Sequence, residues 1–484
     1  MEEFQLYSAL SVLLIAFAAY KLFFTTRGSK HLPPGPPSLP IFGNLHLLKM
    51  PLHRTFHLFS QKYGQIFTLR FGSRLVIVVS SPSLVEECFT KNDIVLANRP
   101  PSLVAKHLGY DQTTVVNAPH GDHWRNLRRI GAIEIFSNSR LNSFIGIRRD
   151  EVNHLLCKLS HNASQTFARV ELKSIFSELT FNIIMRMVAG KRYYAYGGEV
   201  KEEEKAKEFR EIILEVFENS GASNPAEYVS VLRLIDYKGL EKKIRKLGKR
   251  SDAFLQGLSM RRGPEYYSDQ IIKGLVMSLL LAGTDTSAVT LEWAMSNLLN
   301  HPDVLKKARA ELDSQIGQEK LVEEPEVSRL HYVQNIISET LRLYPAAPLL
   351  VPHMSSSDCT IGGYDVPSNT MILVNAWAIH RDPTVWDDAT SFKPERYESG
   401  QEHTHKLMPF GTGRRACPGA GLAQRTIGLT LASLIQCFEW ERVSVEEVDM
   451  TEGNGISMPK AVALEAMCKT RPIMKKVLSE FAAE

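Results

Sequence analysis

The chain has 484 residues, 44% of them hydrophobic and 23% charged, with a formal net charge of +4 and a pI near 8.6. This length and composition allow a large buried core, and the mild positive charge implies no nucleic-acid partner, although a basic patch could face an acidic protein or a membrane. The six cysteines are scattered without the rhythm of a disulfide framework, which favours a reducing compartment.

The N-terminal segment has the composition of a membrane anchor. Residues 4–20 carry no charge, and with residues 22–24 the apolar run reaches about the 20 residues that a membrane span needs. Lys21, Arg27 and Lys30 follow the run, so the positive-inside rule predicts a single pass with the body of the protein in the cytosol. A cleaved signal peptide is the competing interpretation, but the acidic start lacks a basic region. We assign residues 1–26 to the anchor.

Residues 27–40 form a basic and proline-rich hinge. The run Pro33-Pro34-Gly35-Pro36-Pro37 lacks backbone donors and is stiff, so it predicts a rigid spacer between the anchor and the body of the protein. Residues 41–484 then form the main domain, in which no internal repeat is visible.

The periodicity of the main domain predicts a mainly α fold with a small β portion. Residues 66–71 and 74–79 flank a Gly-Ser turn and predict a β-hairpin, and residues 359–364 and 371–376 predict two further strands. Helical periodicity is clear over residues 148–160, 200–220, 304–316 and 421–438.

Trp124 and Arg128 are one helical turn apart and therefore share a helix face. An indole N–H and a guanidinium together can bind a carboxylate at the edge of a cofactor. A surface helix with basic residues is the alternative.

Ser268 is placed to cap a long helix that runs to Asn300, where His301-Pro302 stops it, and such a helix would span about 48 Å. Its middle, residues 282–287, has the sequence Ala-Gly-Thr-Asp-Thr-Ser. These residue types are unfavourable inside a helix, because Gly costs stability and Thr and Asp compete for backbone hydrogen bonds. Hydroxyl groups there can draw a carbonyl out of the helix and open a polar notch that suits water or dioxygen. A polar kink with a solvated Asp285 is the alternative.

Glu339 and Arg342 are three residues apart on a predicted helix and can pair. Apolar neighbours indicate that the pair is partly buried, so it needs a further partner.

The most informative stretch is residues 409–419, Pro-Phe-Gly-Thr-Gly-Arg-Arg-Ala-Cys-Pro-Gly. Its glycines permit tight turns, and Pro418 suits the first turn of a following helix, whose N-terminus would stabilise a Cys417 thiolate. Arg415 offers a charged fork for a carboxylate such as a haem propionate. The pattern favours a thiolate bound to a metal over a buried cysteine in an ordinary turn.

Through the spacing Phe410-x-x-Gly413-x-Arg415-x-Cys417-x-Gly419, this stretch resembles the cysteine-ligand loop of the cytochrome P450 haem-thiolate monooxygenases. The resemblance covers essentially the whole chain and implies the cytochrome P450 fold, with haem b as cofactor and Cys417 as its metal ligand. The cofactor-binding residues that it implies are Cys417, Trp124, Arg128, His353, His380, Phe410, Gly411 and Arg415.

The resemblance also assigns Asp285 and Thr286 to the acid-alcohol pair that relays protons during oxygen activation. It makes Arg396 the third member of a buried network with Glu339 and Arg342.

It implies a substrate pocket lined by residues 103–110, 279–282, 346–351 and 455–458. Met354 stands where close plant relatives usually carry an acid, which puts any polar contact of that acid in doubt.

The resemblance is strongest to plant microsomal enzymes, especially the group of isoflavone 2'- and 3'-hydroxylases. It implies an endoplasmic reticulum membrane protein that oxidises a small apolar or phenolic metabolite with O2, with electrons from NADPH through cytochrome P450 reductase and a possible role for cytochrome b5. Hydroxylation of another specialised metabolite, indolic, lignan or terpenoid, or of a xenobiotic, is the alternative.

One departure from the family lies after Leu258, where relatives carry roughly one more helix before the long helix. Residues 259–264 join the two parts almost directly in this chain. A haem-binding membrane protein without turnover is therefore a second hypothesis, from a different functional class.

Overall fold

The computed structural model describes residues 7, 11, 12, 14 and 15, and then residues 31–163, 165–194, 200–219, 225–258, 268–398 and 406–483. The predicted anchor over residues 1–26 and the shortened junction at residues 259–267 therefore lie almost wholly outside the described residues.

Helices dominate the described residues, as the periodicity predicts. In chain order they are α1 (Leu52–Tyr63), α2 (Pro82–Phe89), α3 (Leu103–His107), α4 (Asp122–Glu134), α5 (Asn138–Ser143), α6 (Ile145–Asn162), α7 (Leu172–Ala189), α8 (Val200–Asn219), α9 (Ser230–Leu234), α10 (Leu240–Gly257), α11 (Asp269–Gly283), α12 (Asp285–Asn300), α13 (Pro302–Gln315), α14 (Glu324–Val327), α15 (His331–Leu343), α16 (Ala376–Ile379), α17 (Ala420–Cys437) and α18 (Lys475–Ala483).

The β portion consists of three small sheets. Their strands are β1 (Ile66–Phe71), β2 (Arg74–Val79), β3 (Ala168–Glu171), β4 (His353–Met354), β5 (Cys359–Ile361), β6 (Tyr364–Val366), β7 (Met371–Val374), β8 (Phe438–Arg442) and β9 (Glu465–Thr470). The largest sheet has the order β1-β2-β7-β4, with β2 and β7 parallel and the other pairs antiparallel. The other sheets are β3-β9-β8 and the β5-β6 hairpin.

The strand predictions are confirmed in part. The hairpin of β1 and β2 forms with the predicted bounds. The predicted single strand over residues 359–364 is wrong, because Gly362 and Gly363 adopt positive φ angles of 57° and 79° and turn the chain back on itself between β5 and β6. The strand predicted to end at residue 376 ends at Val374, because the Asn375 side chain accepts the N–H of Ala378 and caps α16.

The predicted hinge packs on the main domain. The N–H of Thr68 in β1 donates to the Pro34 carbonyl (2.8 Å), and the backbone N–H of His31 donates to the Asp365 carboxylate (2.7 Å). A Cβ on Gly35 would lie 2.0 Å from the Thr68 carbonyl oxygen, so only glycine permits this approach. The hinge is therefore held against the sheet from His31 onwards.

The predicted long helix is present with the predicted start and end, and it crosses the core. Ser268 caps α11 through the N–H of Ile271, and Pro302 begins the next helix. Thr284, with φ −88° and ψ −67°, separates α11 from α12 at the predicted polar stretch. Residues 269–300 are the one helix among the described residues that is long and apolar enough to cross a membrane. However, 61% of the most apolar 18-residue stretch of this helix is buried inside the protein, as in a core helix.

The pair predicted between Glu339 and Arg342 is fully buried in α15, and Arg396 joins it. Arg342 donates Nε–H and Nη2–H to the two Glu339 oxygens (2.7 and 2.8 Å), and Arg396 donates its Nε–H to the same carboxylate (2.9 Å). The remaining Arg342 N–H groups bond to the carbonyls of His380, Ala389 and Ser391. The network therefore ties α15 to the segment that leads to the cysteine loop.

We expect Glu339→Ala to destabilise the protein by about 3–5 kcal/mol, because Arg342 would remain as an uncompensated charge in the core. The melting temperature of the purified protein would show the loss. Glu480→Ala is the matched control, since Glu480 pairs with Lys476 on the surface and such pairs contribute about 0–1 kcal/mol. Equal melting temperatures for the two variants would contradict a structural role for Glu339.

Candidate active site

The loop before α17 holds Cys417 in a tight turn. The Cys417 N–H donates to the Phe410 carbonyl (2.9 Å), and Gly411 and Gly413 have positive φ angles of 68° and 70°. A Cβ on Gly413 would lie 2.6 Å from Asp93 Oδ1 and 2.9 Å from Phe89 Cβ, so glycine is required there. The loop is thus fixed against the segment that follows α2.

The Cys417 thiol lines a cavity inside the protein, so its exposed surface faces this cavity. Burial raises the pKa of this thiol, whereas backbone N–H groups of Gly419 and Ala420 and the charge of Arg128 act in the opposite direction. These donors lie at the start of α17, where the helix dipole also favours an anion. The sulfur therefore has built-in partners for its thiolate form.

The cavity has a volume of about 310 Å³ and a mainly apolar wall. Most of its lining residues come from α4, α7, α11, α12, α17, the segment before β4 and the cysteine loop. Of the predicted cofactor-binding residues, those that line it are Cys417, Trp124, Arg128, His353, Phe410, Gly411 and Arg415. Trp124 and Cys417 thus line the same cavity although they are about 290 residues apart in the chain.

Three arginines face this cavity, and each is held in place by backbone carbonyls. Arg415 donates to the carbonyls of Ala97 (2.7 Å) and Ala118 (2.5 Å), and Arg128 donates to the Ala416 carbonyl (3.0 Å). Arg99, which the sequence reasoning missed, also lines the cavity.

Arg99 is the most buried of the three. Its Nη1–H donates to the carbonyls of Val351 (2.8 Å) and Pro352 (2.7 Å), and its buried Nε–H has no partner among the described residues. The residue lies in the sequence Ala-Asn-Arg-Pro-Pro over residues 97–101. An arginine followed by two prolines, just after an apolar run, is the signal that could have identified it.

The pKa values of all three arginines are lowered, which shows that their charged forms are destabilised in this cavity. Burial, followed by repulsion from Arg415 and Arg128, lowers the pKa of Arg99 to about 9. Burial and the charge of Arg128 lower the pKa of Arg415 to about 10. Burial also lowers the pKa of Arg128, against the attraction of Cys417. Because the hydrogen bonds described for these arginines all go to carbonyls, an anionic ligand would stabilise all three.

Trp124 and His353 complete this wall. The Arg415 guanidinium carbon lies 4.2 Å from the centroid of the Trp124 ring. The Trp124 Nε1–H donates to the Val115 carbonyl (3.2 Å). His353 Nδ1–H donates to the Leu96 carbonyl (2.8 Å), which leaves Nε2 as the remaining ring nitrogen. Burial lowers the pKa of His353, so the ring is neutral at pH 7.

The polar stretch between α11 and α12 supplies the other notable cavity residue, Thr286. Its hydroxyl donates to the Ala282 carbonyl (2.6 Å), and both residues line the cavity. Thr284 makes the same bond to Leu280 (2.6 Å) but does not line the cavity. Asp285 also lies outside the lining and is half-buried, and its Oδ2 has no partner among the described residues. Burial raises the pKa of its carboxyl, against a hydrogen bond with Ser457.

The structure does not support a contact between His380 and a cofactor carboxylate. His380 is fully buried outside the cavity, where its Nε2 accepts the N–H of Met408 (3.0 Å) and its carbonyl accepts a bond from Arg342 (2.6 Å). Among the expected pocket segments, residues 103–110 and 455–458 do not line the cavity either.

Comparison with known proteins agrees with this geometry. The family model described as "Cytochrome P450" matches residues 33–250 and 241–464 of the chain. The chain belongs to the cytochrome P450 family. A zebrafish cytochrome P450 solved with abiraterone has the same fold, with a TM-score of 0.73 and 24% identity over 87% of this chain and 100% of that one.

Plant P450s are much more similar to this chain. An isoflavone 3'-hydroxylase of Medicago truncatula is 57% identical over 97% of this chain and 99% of the relative. A (+)-piperitol/(+)-sesamin synthase of Sesamum radiatum is 54% identical, with 99% of both chains covered. That alignment extends over 504 positions, 20 more than the 484 residues of this chain, so the relative has residues that this chain lacks.

Family membership makes the chain a haem-thiolate monooxygenase that uses O2, an organic substrate and a redox partner. The described residues fit haem b. The thiol of Cys417 opens into the same cavity as three arginines whose described hydrogen bonds go only to backbone carbonyls, and haem would supply an iron that binds sulfur and two carboxylates that bind arginine.

We expect Arg99→Gln to weaken haem binding by about 10- to 100-fold, because it removes a charged donor from the cavity wall. The ratio of haem to protein after dialysis against a haem-binding protein would report the loss. Arg309→Gln is the matched control, since Arg309 is likewise half-buried or more, bonded to a carbonyl and left with an unpaired Nε–H, but lies outside the cavity. Equal haem retention in both variants would contradict the role of Arg99.

Proposed function

We propose that this P450 inserts one oxygen atom of O2 into a flavonoid-type phenolic, with isoflavone hydroxylation as the favoured reaction. The observation that carries the proposal is the apolar cavity that Cys417 and Thr286 share. The similarity to an isoflavone 3'-hydroxylase supports the substrate class. The similarity to a lignan-type synthase supports the alternative, another specialised metabolite, and the same apolar wall would also accept a xenobiotic.

In this proposal Cys417 is the sulfur ligand of the haem iron, and Trp124, Arg128, His353, Arg415 and Arg99 hold the haem carboxylates. Phe410 and Gly411 shape the turn beside the sulfur, since the Phe410 carbonyl accepts the Cys417 N–H. The haem, once bound, supplies the activation of O2. The Glu339, Arg342 and Arg396 network has a structural role, because all three side chains lie in the core away from the cavity lining.

Thr286 and Asp285 move protons in this proposal. Thr286 presents its hydroxyl at the cavity, and Asp285 is its neighbour in the chain. Because burial raises the pKa of Asp285, this carboxyl holds a proton at a higher pH than an exposed aspartate does. The Thr286 O–H is donated to the Ala282 carbonyl, so its oxygen is left to accept a hydrogen bond from a group in the cavity. The hydroxyl would relay a proton by turning its O–H from that carbonyl towards the cavity as it accepts another proton.

The membrane and partner assignments complete the proposal. Residues 1–26 anchor the protein in the endoplasmic reticulum membrane by a single pass, residues 27–40 form the hinge, and residues 41–484 form the cytosolic monooxygenase domain. The apolar run and the basic residues that follow it support this topology. NADPH-cytochrome P450 reductase supplies electrons, and cytochrome b5 is a possible second donor.

The direct test is turnover of the full chain with plant cytochrome P450 reductase, NADPH and a panel of isoflavones, flavones, lignans, indoles and terpenoids. The proposal predicts that an isoflavone gains one hydroxyl group and that ¹⁸O2 labels the product. Preferred oxidation of a lignan or an indole would shift the assignment to the alternative substrates. Haem incorporation without oxidation of any compound would favour the haem-binding protein without turnover.

Replacement of Thr286 by Ala should separate oxygen consumption from product formation. We expect product per NADPH to fall by at least about tenfold and hydrogen peroxide to rise, because the hydroxyl that delivers protons at the cavity is lost. Thr284→Ala is the matched control, since its hydroxyl bonds the preceding turn in the same way outside the cavity. Unchanged coupling in Thr286→Ala would exclude the relay.

A further inference from the structure

Glu452 is a buried carboxylate outside the cavity that gathers donors from two separate helices. It accepts the Nε2–H of His53 and the Nε–H of Arg54 in α1, both at 2.7 Å. It also accepts the Nε1–H of Trp377 in α16 at 2.9 Å. The Glu452 side chain is only 2% exposed, so these bonds are shielded from water.

The carboxylate is ionised at neutral pH. Burial opposes its ionisation, but hydrogen bonds from His53 and Arg54 outweigh burial and hold the pKa of Glu452 at about 2. Arg381 adds positive charge, with Nη2 at 3.9 Å from the carboxylate. Glu452 therefore stays ionised throughout the physiological pH range and can accept the hydrogen bonds of His53, Arg54 and Trp377 there.

The elements that Glu452 joins also hold one wall of the cavity. The Trp377 N–H donates to the Pro348 carbonyl (3.1 Å), and the Met458 N–H donates to the Ala346 carbonyl (3.1 Å). Ala346, with Ala347, Leu350 and Val351, lines the cavity. This wall is thus held from behind at two carbonyls, one by the helix that Glu452 binds and one by the loop that carries Glu452.

The loop of residues 452–459 is fixed at its far end as well. Trp293 in α12 donates its Nε1–H to the Met458 carbonyl (2.7 Å) and stacks on Tyr344, with ring centroids 4.1 Å apart. The N–H of Gly453 donates to the Pro459 carbonyl (2.7 Å), which closes the loop. Glu452 is therefore the link between this closed loop and helices α1 and α16.

We propose that Glu452 is a positioning residue for substrate selectivity, which fixes the cavity wall of residues 346–351 through Trp377 and the 452–459 loop. Without the charged anchor, the wall can shift relative to Cys417, and a different carbon of the substrate then faces the reacting centre. The substrate part of this inference rests on the proposed function.

The test compares wild type, Glu452→Gln and Trp377→Phe as full-length holoenzymes. Gln keeps the size of the side chain but removes its charge, and Phe removes only the Nε1–H donor. We expect the ratio of hydroxylated products and the Kd of phenylimidazole, an iron ligand that packs against the cavity wall, each to change by at least about threefold in both variants. The reduced CO spectrum should stay unchanged.

Glu324→Gln is the matched control. Glu324 is an equally buried carboxylate that accepts two bonds from Arg148, including one of 2.7 Å, and one from Arg425 (3.2 Å). It does not line the cavity and has no bond to residues 346–351 among the contacts described. We expect this variant to melt at a lower temperature, as Glu452→Gln does, but to keep the product ratio and the phenylimidazole Kd of the wild type. A loss of stability alone therefore cannot produce the expected result.

The outcomes distinguish this inference from the proposed function. Wild-type product ratio and Kd in both Glu452→Gln and Trp377→Phe, or the same changes in Glu324→Gln, would overturn the role of Glu452. Failure of the wild type to oxidise any compound would overturn the proposed function, and the phenylimidazole Kd would still decide the role of Glu452.

Discussion

Three arginines face one cavity, and their described hydrogen bonds go to backbone carbonyls rather than to carboxylates. The rest of the site depends on how these three charges are balanced. Removal of a charge from water costs several kcal/mol per ion, and Arg99, Arg128 and Arg415 also repel one another. The carbonyls that hold them orient the guanidinium groups but carry no full charge. In the proposed assignment the carboxylates of haem would offset this cost, and haem binding would then stabilise the folded protein.

The polar break between α11 and α12 is a second feature that the cavity accounts for. Glycine and threonines in a helix interior cost stability relative to alanine, yet the stretch lies where the helix passes the cavity. Thr284 and Thr286 both bond the preceding turn, but only Thr286 is at the cavity. A local violation of helix preference therefore coincides with the site, which is the expected place for such a violation.

The sequence allowed the mainly α fold, the first hairpin and the long helix to be predicted, and seven of the eight predicted cofactor-binding residues line the cavity, because local periodicity and a dense motif carry that information. The contacts that depend on tertiary packing were harder to predict. His380 lies near the motif residues in the chain, but packing of its ring under the Met408 N–H directs it away from the cavity. Arg99 has no motif spacing, and only the approach of residues 351–352 reveals its burial.

The central claim is that Cys417 is the thiolate ligand of a haem in this cavity, and the CO difference spectrum of the reduced protein tests it most directly. The account predicts the band of cysteinate-ligated haem for the wild type and its loss in Cys417→Ala. Cys437→Ala is the control, because Cys437 is buried in α17 away from the cavity, and it should keep the band. Survival of the band in Cys417→Ala would contradict the account.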